Sequence, residues 1–224
     1  MTARLHPLCV LLWLVLVTSC RTAAPVPPGT SATPRDRWPK ISLKQGTGPE
    51  QETRRQLELL LTRYDLSPWL FTREVQIDER AVPHSHPVLT LHTRHLRDDL
   101  LLLATFIHEQ SHWYFTAKPD ETRAAMAELE SLLPGMPVGF PDGANDKESS
   151  YLHLCVIPFE YDGLRQLVGD LAARQVMEFW ATDHYRVLYR KVLEHPRQIW
   201  PILTRHGLLP PRLEMTAVRA EQAR

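Results

Sequence analysis

Apolar and polar positions follow two different rhythms in the first half of the chain. Residues 49–65 place Leu57, Leu60 and Leu61 on one helical face with charged residues opposite, which predicts an amphipathic helix. Residues 69–77 and 88–94 alternate apolar and polar side chains instead, which predicts two short strands. A turn-like segment separates the strands, so we expect them to pair as a small β-hairpin.

Helical periodicity dominates the rest of the chain. A long apolar helix is predicted to begin near Asp98 or Asp99, where a carboxylate can cap its first turn. Pro158 is expected to kink or split a later helix. Further helices are predicted at 120–133, 148–169, 171–194 and 196–206, with a Gly/Pro-rich loop at 134–146. The predicted fold class is α+β, mainly helical, with a small hairpin or sheet before the central helix.

The first 20 residues have the pattern of a targeting signal. An apolar run of ten residues, too short to span a bilayer comfortably, follows Arg4 and closes on Val17-Thr18-Ser19-Cys20. This ending resembles the bacterial lipoprotein signal, which implies cleavage before Cys20 and lipidation of that cysteine. The alternative is an ordinary secretory signal with a coincidental cysteine.

The predicted organisation has three parts. Residues 1–19 are a signal peptide, residues 20–47 are the lipidated cysteine with a flexible Pro-rich tether, and residues 48–224 are the folded domain. Arg21 stands where an aspartate would favour retention at the inner membrane, so the resemblance implies anchoring in the outer membrane, facing the periplasm.

Composition narrows the range of partners. Lys and Arg together number 26, as do Asp and Glu, and no basic stripe with interleaved aromatic residues is present. A nucleic-acid surface is therefore not expected. Cys155 is alone in the predicted domain, so no disulfide framework is expected either.

The apolar central helix carries an unusual polar group, His108-Glu109-Gln110-Ser111-His112. Histidines four residues apart share one helical face, so both imidazoles can reach one Zn²⁺ at about 2.0–2.1 Å. Glu109 lies about 100° round the helix. It is badly placed as a ligand but well placed to take a proton from a water on the metal, as a general base. The alternative is a buried helix with coincidental histidines.

On these residues the chain resembles the zincin metallopeptidases, in which a sheet strand commonly precedes the motif helix. Lys118 occupies the place of the closely spaced third histidine of the metzincin branch, so a third ligand must lie farther along. Glu160, with Gly163 three residues later, loosely matches the helical glutamate of the gluzincin branch and is the preferred third ligand. His153 is the alternative, and the residue that does not bind metal is a candidate hydrogen-bonding partner of a ligand.

Zincins often add a tyrosine or histidine that stabilises the developing oxyanion. His184, Tyr185 and Tyr189 are available, and Tyr185 is the candidate donor, with simple packing as the alternative. The resulting expectation is a zinc-dependent peptidase of the bacterial cell envelope that hydrolyses a peptide or protein substrate and is membrane-bound through its lipid anchor. The alternative is a non-catalytic zincin-like lipoprotein that binds an envelope partner.

Overall fold

The computed structural model describes residues 38–212. The predicted signal peptide, Cys20 and most of the predicted tether lie outside the described residues. The described helices are α1 (Gly48–Arg63), α2 (Asp99–Thr116), α3 (Pro119–Leu132), α4 (Lys147–Val168), α5 (Asp170–Asp183), α6 (Arg186–Glu194) and α7 (Pro196–Arg205). The strands are β1 (Lys40–Leu43), β2 (Glu74–Ile77) and β3 (Leu89–Leu91). Short 3₁₀ turns occupy Ser67–Trp69 and Thr93–His95. The domain is therefore mainly helical with one small sheet, as predicted.

The sheet is parallel, and the predicted hairpin is wrong. Its order is β1-β2-β3, with Ile41 opposite Val75 and Val75 opposite Leu89. α1 forms the crossover between β1 and β2, as a parallel pair requires. Residues 78–88 carry the chain back before β3 starts, so β3 enters in the same direction as β2. β1 lies inside the segment predicted as tether, so residues 40–47 belong to the folded domain.

α2 forms where the sequence predicts it. The Asp98 carboxylate accepts a hydrogen bond from the Leu101 backbone N–H at 3.0 Å and caps the first turn. Leu102, Leu103 and Phe106 on this helix are almost completely buried. Their burial makes α2 the central helix of the domain and fixes the position of the histidine motif at its C-terminal half.

α4 packs along α2 and is continuous across Pro158, contrary to the expected kink or split. Proline has no backbone N–H, so one intrahelical hydrogen bond is absent at this position. The flanking residues Leu154, Ile157 and Phe159 are fully buried, and their packing holds the helix together across the proline. His153 and Glu160 therefore stay on one helix, two turns apart.

The segment 171–194, predicted as one helix, is two helices. α5 ends at Asp183, and α6 starts at Arg186 after Tyr185 adopts a left-handed conformation with φ 49° and ψ 34°. Such a conformation is uncommon for a bulky side chain and is kept only where surrounding contacts impose it. The break returns α6 against α4 and places His184 and Tyr185 at a cavity.

Among residues 38–212, no helix combines the length and the apolar content needed to cross a bilayer.

Candidate metal centre

Three imidazoles converge between α2 and α4. His108 and His112 lie one turn apart on α2, and His153 comes from α4; one ring nitrogen of each lies within 4.8 Å of the others. The Nε2 atoms of His108 and His112 are 3.4 Å apart. A tetrahedral site with Zn–N bonds of about 2.0–2.1 Å separates two ligand nitrogens by about 3.3 Å. The pair His108 and His112 matches this separation, and the three side chains together could hold a metal ion.

Hydrogen bonds at the opposite ring nitrogens favour the metal-binding tautomer. His108 Nδ1 lies 2.8 Å from Glu160 Oε2, and His153 Nδ1 lies 2.7 Å from the Ser149 backbone carbonyl. The Ser149 carbonyl can only accept, so His153 Nδ1 carries the proton, and an ionised Glu160 imposes the same tautomer on His108. The Nε2 of each ring then keeps the lone pair that a metal requires.

Burial keeps these imidazoles uncharged. It lowers the pKa of His108 to about 4 and that of His153 to about 3, and the neighbouring His108 ring lowers the latter further. The pKa of His112 is also held well below its usual value, first by burial and then by His153. At neutral pH all three rings are neutral, so no proton competes with a cation for their lone pairs.

Glu160, the preferred third ligand, is not in this cluster, whereas the alternative, His153, is. The Oε2 atom of Glu160 accepts hydrogen bonds from His108 Nδ1 at 2.8 Å and from the Tyr189 hydroxyl at 2.9 Å. Two helical turns, about 10 Å, separate Glu160 from His153 along α4. The carboxylate therefore contacts the edge of the His108 ring that faces away from the cluster. Glu160 therefore has the position predicted for the residue that does not bind metal, namely a hydrogen-bonding partner of a candidate ligand, His108.

Glu160 is fully buried, and burial raises its pKa to about 8. The Tyr189 hydroxyl is the main opposing influence and lowers that pKa. Glu160 Oε1 and the Trp180 indole nitrogen make no hydrogen bond of full geometry, although the indole lies near enough to lower the carboxyl pKa. A cation held by the Nε2 atom of His108 would lower the pKa of Glu160, because its positive charge would favour the ionised carboxylate on the other side of the ring.

Glu109 lies on the wall of a cavity beside the cluster. Burial raises its pKa to about 8, with the charge of Glu160 as the second cause. The carboxyl group thus meets two requirements of a general base, access to the cavity and a pKa near neutrality. A bound cation would lower that pKa by direct attraction.

The cavity has a volume of about 350 Å³ and opens to solvent. Of the three clustered histidines, His108 lines it, together with Glu109. Arg94, His95 and His184 contribute polar side chains to the lining of the same cavity. A substrate in this space would lie against both the candidate metal centre and the candidate base.

Tyr185, the predicted oxyanion donor, is at the site. Its ring lies 4.3 Å from the His153 ring, centroid to centroid, and its side chain lines the cavity. Burial raises its pKa, and the charge of Glu109 raises it further, so the hydroxyl stays protonated and can donate a hydrogen bond.

The loop of residues 134–146, here called the Phe140 loop, holds Tyr185 in its left-handed conformation. The Arg186 backbone N–H donates to the Pro141 carbonyl at 3.0 Å, and Arg186 Nε donates to Asp142 Oδ1 at 2.9 Å. The first of these bonds also satisfies the Arg186 backbone N–H, which lies at the start of α6 and has no acceptor within the helix. The loop and α6 therefore position Tyr185 together.

His184 is a second polar side chain that lines the same cavity. Its Nδ1 donates to Asp183 Oδ2 at 2.8 Å, and Arg94 holds the other oxygen of Asp183 at 2.8 Å. Burial lowers the pKa of His184, while Asp183 raises it in part. With the proton on Nδ1, the Nε2 atom of the neutral ring can accept a hydrogen bond but cannot donate one.

Sequence reasoning missed the contact of Tyr189 with Glu160 and the contribution of His95 and Trp180 to the cavity. The four-residue spacing from Tyr185 to Tyr189 indicated a shared helical face but gave no partner. No local pattern marks His95 or Trp180, because only the packing of separate helices brings them to the site.

No known family model matches this sequence, and comparisons with curated proteins and with solved structures find no match either. The function is therefore argued from the geometry of the site.

Proposed function

We propose that this protein is a zinc-dependent peptidase. The observation that carries the proposal is the convergence of His108, His112 and His153 beside the cavity-facing carboxyl group of Glu109. In this proposal the three imidazoles hold the metal, and His153 replaces Glu160 as the third ligand. Three protein ligands leave a fourth position open, which is the arrangement of catalytic rather than structural zinc sites.

The proposed roles divide between metal and protein. A divalent cation at the three histidines would supply Lewis acidity, which polarises a carbonyl group and makes a water more acidic. Glu109 accepts the proton of the attacking water and later delivers it to the leaving amine. Glu160 orients His108 and keeps the proton on its Nδ1.

Tyr185 is the proposed donor to the oxygen that gains negative charge as water attacks a peptide carbonyl. Tyr185 is favoured because its ring contacts His153 directly and because its backbone is held in an unusual conformation. His184 also lines the cavity, but its Nδ1 proton is directed at Asp183, so the neutral ring has no N–H left to donate. The Tyr185 hydroxyl would act most strongly once a bound substrate excludes water from the cavity.

The cell envelope remains the proposed location. It is supported by the resemblance of residues 1–20 to a lipoprotein signal, with Cys20 as the lipidated residue and Arg21 after it. A peptidase tethered to a membrane through Cys20 would act on peptides or proteins near that surface.

The experiment that tests the function pairs zinc analysis with hydrolysis of a peptide library by the purified protein. We expect about one zinc per chain and measurable cleavage, and we expect Glu109→Gln to keep the zinc and lose about 10²–10⁴-fold in rate. Glu58→Gln, which changes a partly exposed carboxylate on α1 that does not line the cavity, is the matched control and should change neither. Full activity in Glu109→Gln would exclude the proposed base. Bound zinc without cleavage of any peptide would instead support a non-catalytic zinc-binding lipoprotein.

A further inference from the structure

Two apolar side chains stand exposed at the mouth of the cavity. Phe140 is 78% exposed and Val82 is 81% exposed, and both line the same cavity as His108 and Glu109. They belong to different loops, the Phe140 loop and residues 78–88, here called the Val82 loop. Exposed apolar groups beside a concave site commonly contact a ligand, which covers them when it binds.

The Phe140 loop has an internal framework that keeps Phe140 in place. The Gly139 backbone N–H donates to the Ala144 carbonyl at 2.6 Å, and the Gly143 N–H donates to the Gly139 carbonyl at 2.9 Å. A side chain at Gly143 would come within 1.9 Å of the Pro137 carbonyl oxygen, so the loop closes tightly on itself. The backbone that carries Phe140 is therefore held in one conformation by the loop itself. Binding of a ligand at Phe140 would cost little additional conformational entropy of this backbone.

The Val82 loop is fixed to the sheet and to α2. His84 and Thr90 exchange two backbone hydrogen bonds, of 3.1 and 2.8 Å. The Trp113 indole N–H donates to the Ser85 carbonyl at 2.9 Å. Val82 is thus held beside the cavity by the helix that carries the histidine motif.

The lining of the cavity is mixed in polarity. Val82 and Phe140 contribute exposed apolar groups, whereas Arg94, His95 and His184 contribute polar groups. Its volume of about 350 Å³ is near the lower end of the range for ligand sites, roughly 300–1,000 Å³, which suits a few residues of an extended chain. A peptide would place an apolar side chain at the mouth and its polar backbone toward the metal centre.

We propose that Phe140 and Val82 form a specificity subsite for a bulky apolar side chain, such as leucine or phenylalanine, next to the peptide bond that is hydrolysed. This inference rests on the proposed peptidase function and adds the class of substrate. The two residues act by burying apolar surface of the substrate, so they affect the choice of peptide and leave the metal and the base unchanged.

The test uses the zinc-loaded full chain and the peptides acetyl-Ala-Ala-X-Ala-Ala-amide, with phenylalanine, leucine, serine or lysine at X. We expect the wild type to favour the phenylalanine and leucine peptides over the serine peptide by roughly tenfold in kcat/KM. The double variant Phe140→Ser with Val82→Ser should bring this ratio close to one while retaining bound zinc. Leu171→Ser is the matched control, because Leu171 is 75% exposed on α5 and does not line the cavity.

Equilibrium binding separates this subsite from the catalytic proposal. Glu109→Gln, alone and combined with the two serine substitutions, is titrated with the same peptides, and the expected order of Kd values matches the order of kcat/KM. Preferential binding without hydrolysis by the wild type would support the subsite and overturn the peptidase. Hydrolysis with no apolar preference, or with a preference that survives the double variant, would overturn the subsite alone.

Two further results would overturn the subsite. One is the absence of binding by any of the four peptides. The other is a change in oligomeric state on Phe140→Ser, measured by sedimentation, without a change in peptide preference. That second result would assign the exposed residues to contact between two copies of the chain.

Discussion

His153 and Glu160 have different proposed relations to the metal, so substituting them should affect zinc affinity unequally. His153→Ala removes one of three nitrogens that lie within 4.8 Å of one another. Glu160→Gln keeps all three imidazoles and changes only the acceptor at His108 Nδ1. We therefore expect His153→Ala to weaken zinc binding much more than Glu160→Gln.

The structure sets the size of each effect. Losing the carboxylate partner of a ligating histidine typically costs about 10–100-fold in metal affinity, or about 1.4–2.7 kcal/mol. The amide oxygen of Gln at position 160 can still accept a hydrogen bond from His108 or Tyr189, so we expect about tenfold. Zinc-finger peptides bind zinc with about 10–16 kcal/mol through four protein ligands, which is about 2.5–4 kcal/mol for each ligand. On this scale, His153→Ala should lower zinc affinity by about 100–1,000-fold.

The assay is competition for zinc between the metal-stripped protein and a chromophoric chelator at fixed pH. Circular dichroism checks that each variant is folded before titration. Tyr189→Phe is the control, because it removes the second hydrogen bond to Glu160 and leaves the contact with His108 intact. A larger loss of affinity in Glu160→Gln than in His153→Ala would refute the ligand assignment and restore Glu160 as the third ligand.

Three further predictions follow from the same contacts. Gly163→Ala should lower the free energy of unfolding by about 1–3 kcal/mol in urea, because a Cβ there would lie 2.8 Å from Trp69 Nε1, whereas Gly48→Ala, with open space around it, should be close to neutral. Tyr185→Phe should lower kcat by about 10²-fold or more with little change in KM if its hydroxyl serves the transition state; an unchanged kcat would assign the role to another donor. In chelator-treated protein, the depressed pKa values of the three clustered histidines mean that the folded state binds fewer protons than the unfolded state. Their contribution to stability is complete above about pH 6.5 and falls as the pH drops toward 4, which thermal unfolding at several pH values would detect.

Local patterns were sufficient for the elements whose cause is local. The cap at Asp98 and the apolar run after it define the start of α2, and the four-residue spacing of His108 and His112 fixes their shared direction. These features depend on neighbours within one or two helical turns. The sequence therefore identified two candidate ligands and a candidate base, but only as a motif on one helix.

Features that depend on distant partners were not predictable in this way. β1 is paired with β2, whose residues lie more than 30 positions away, and nothing in residues 40–43 announces that partner. The alternation that predicted two strands does not specify whether they run parallel or antiparallel. The break at Tyr185 likewise depends on hydrogen bonds from the Phe140 loop, which is distant in sequence.

The third ligand illustrates what spacing alone leaves undecided. His153 and Glu160 are seven residues apart, so both point from α4 toward α2, and either could reach a motif histidine. The contacts of His108 with Glu160 and of His112 with His153 show that the two helices run in opposite directions. Their register decides which side chain meets the Nε2 atoms and which meets Nδ1 of His108.

One residue in the sequence, Gly163, is directly related to this register of α4 against α2. Its missing side chain lets α4 approach Trp69 and Ile107, and Ile107 directly precedes His108. A slip of α4 by one turn, about 5.4 Å, would replace His153 with Ser149 or Ile157, neither of which is a usual zinc ligand. Gly163→Ala should therefore lower zinc affinity as well as stability, although Gly163 touches no metal ligand. An unchanged zinc affinity in a destabilised Gly163→Ala protein would show that the register does not depend on this contact.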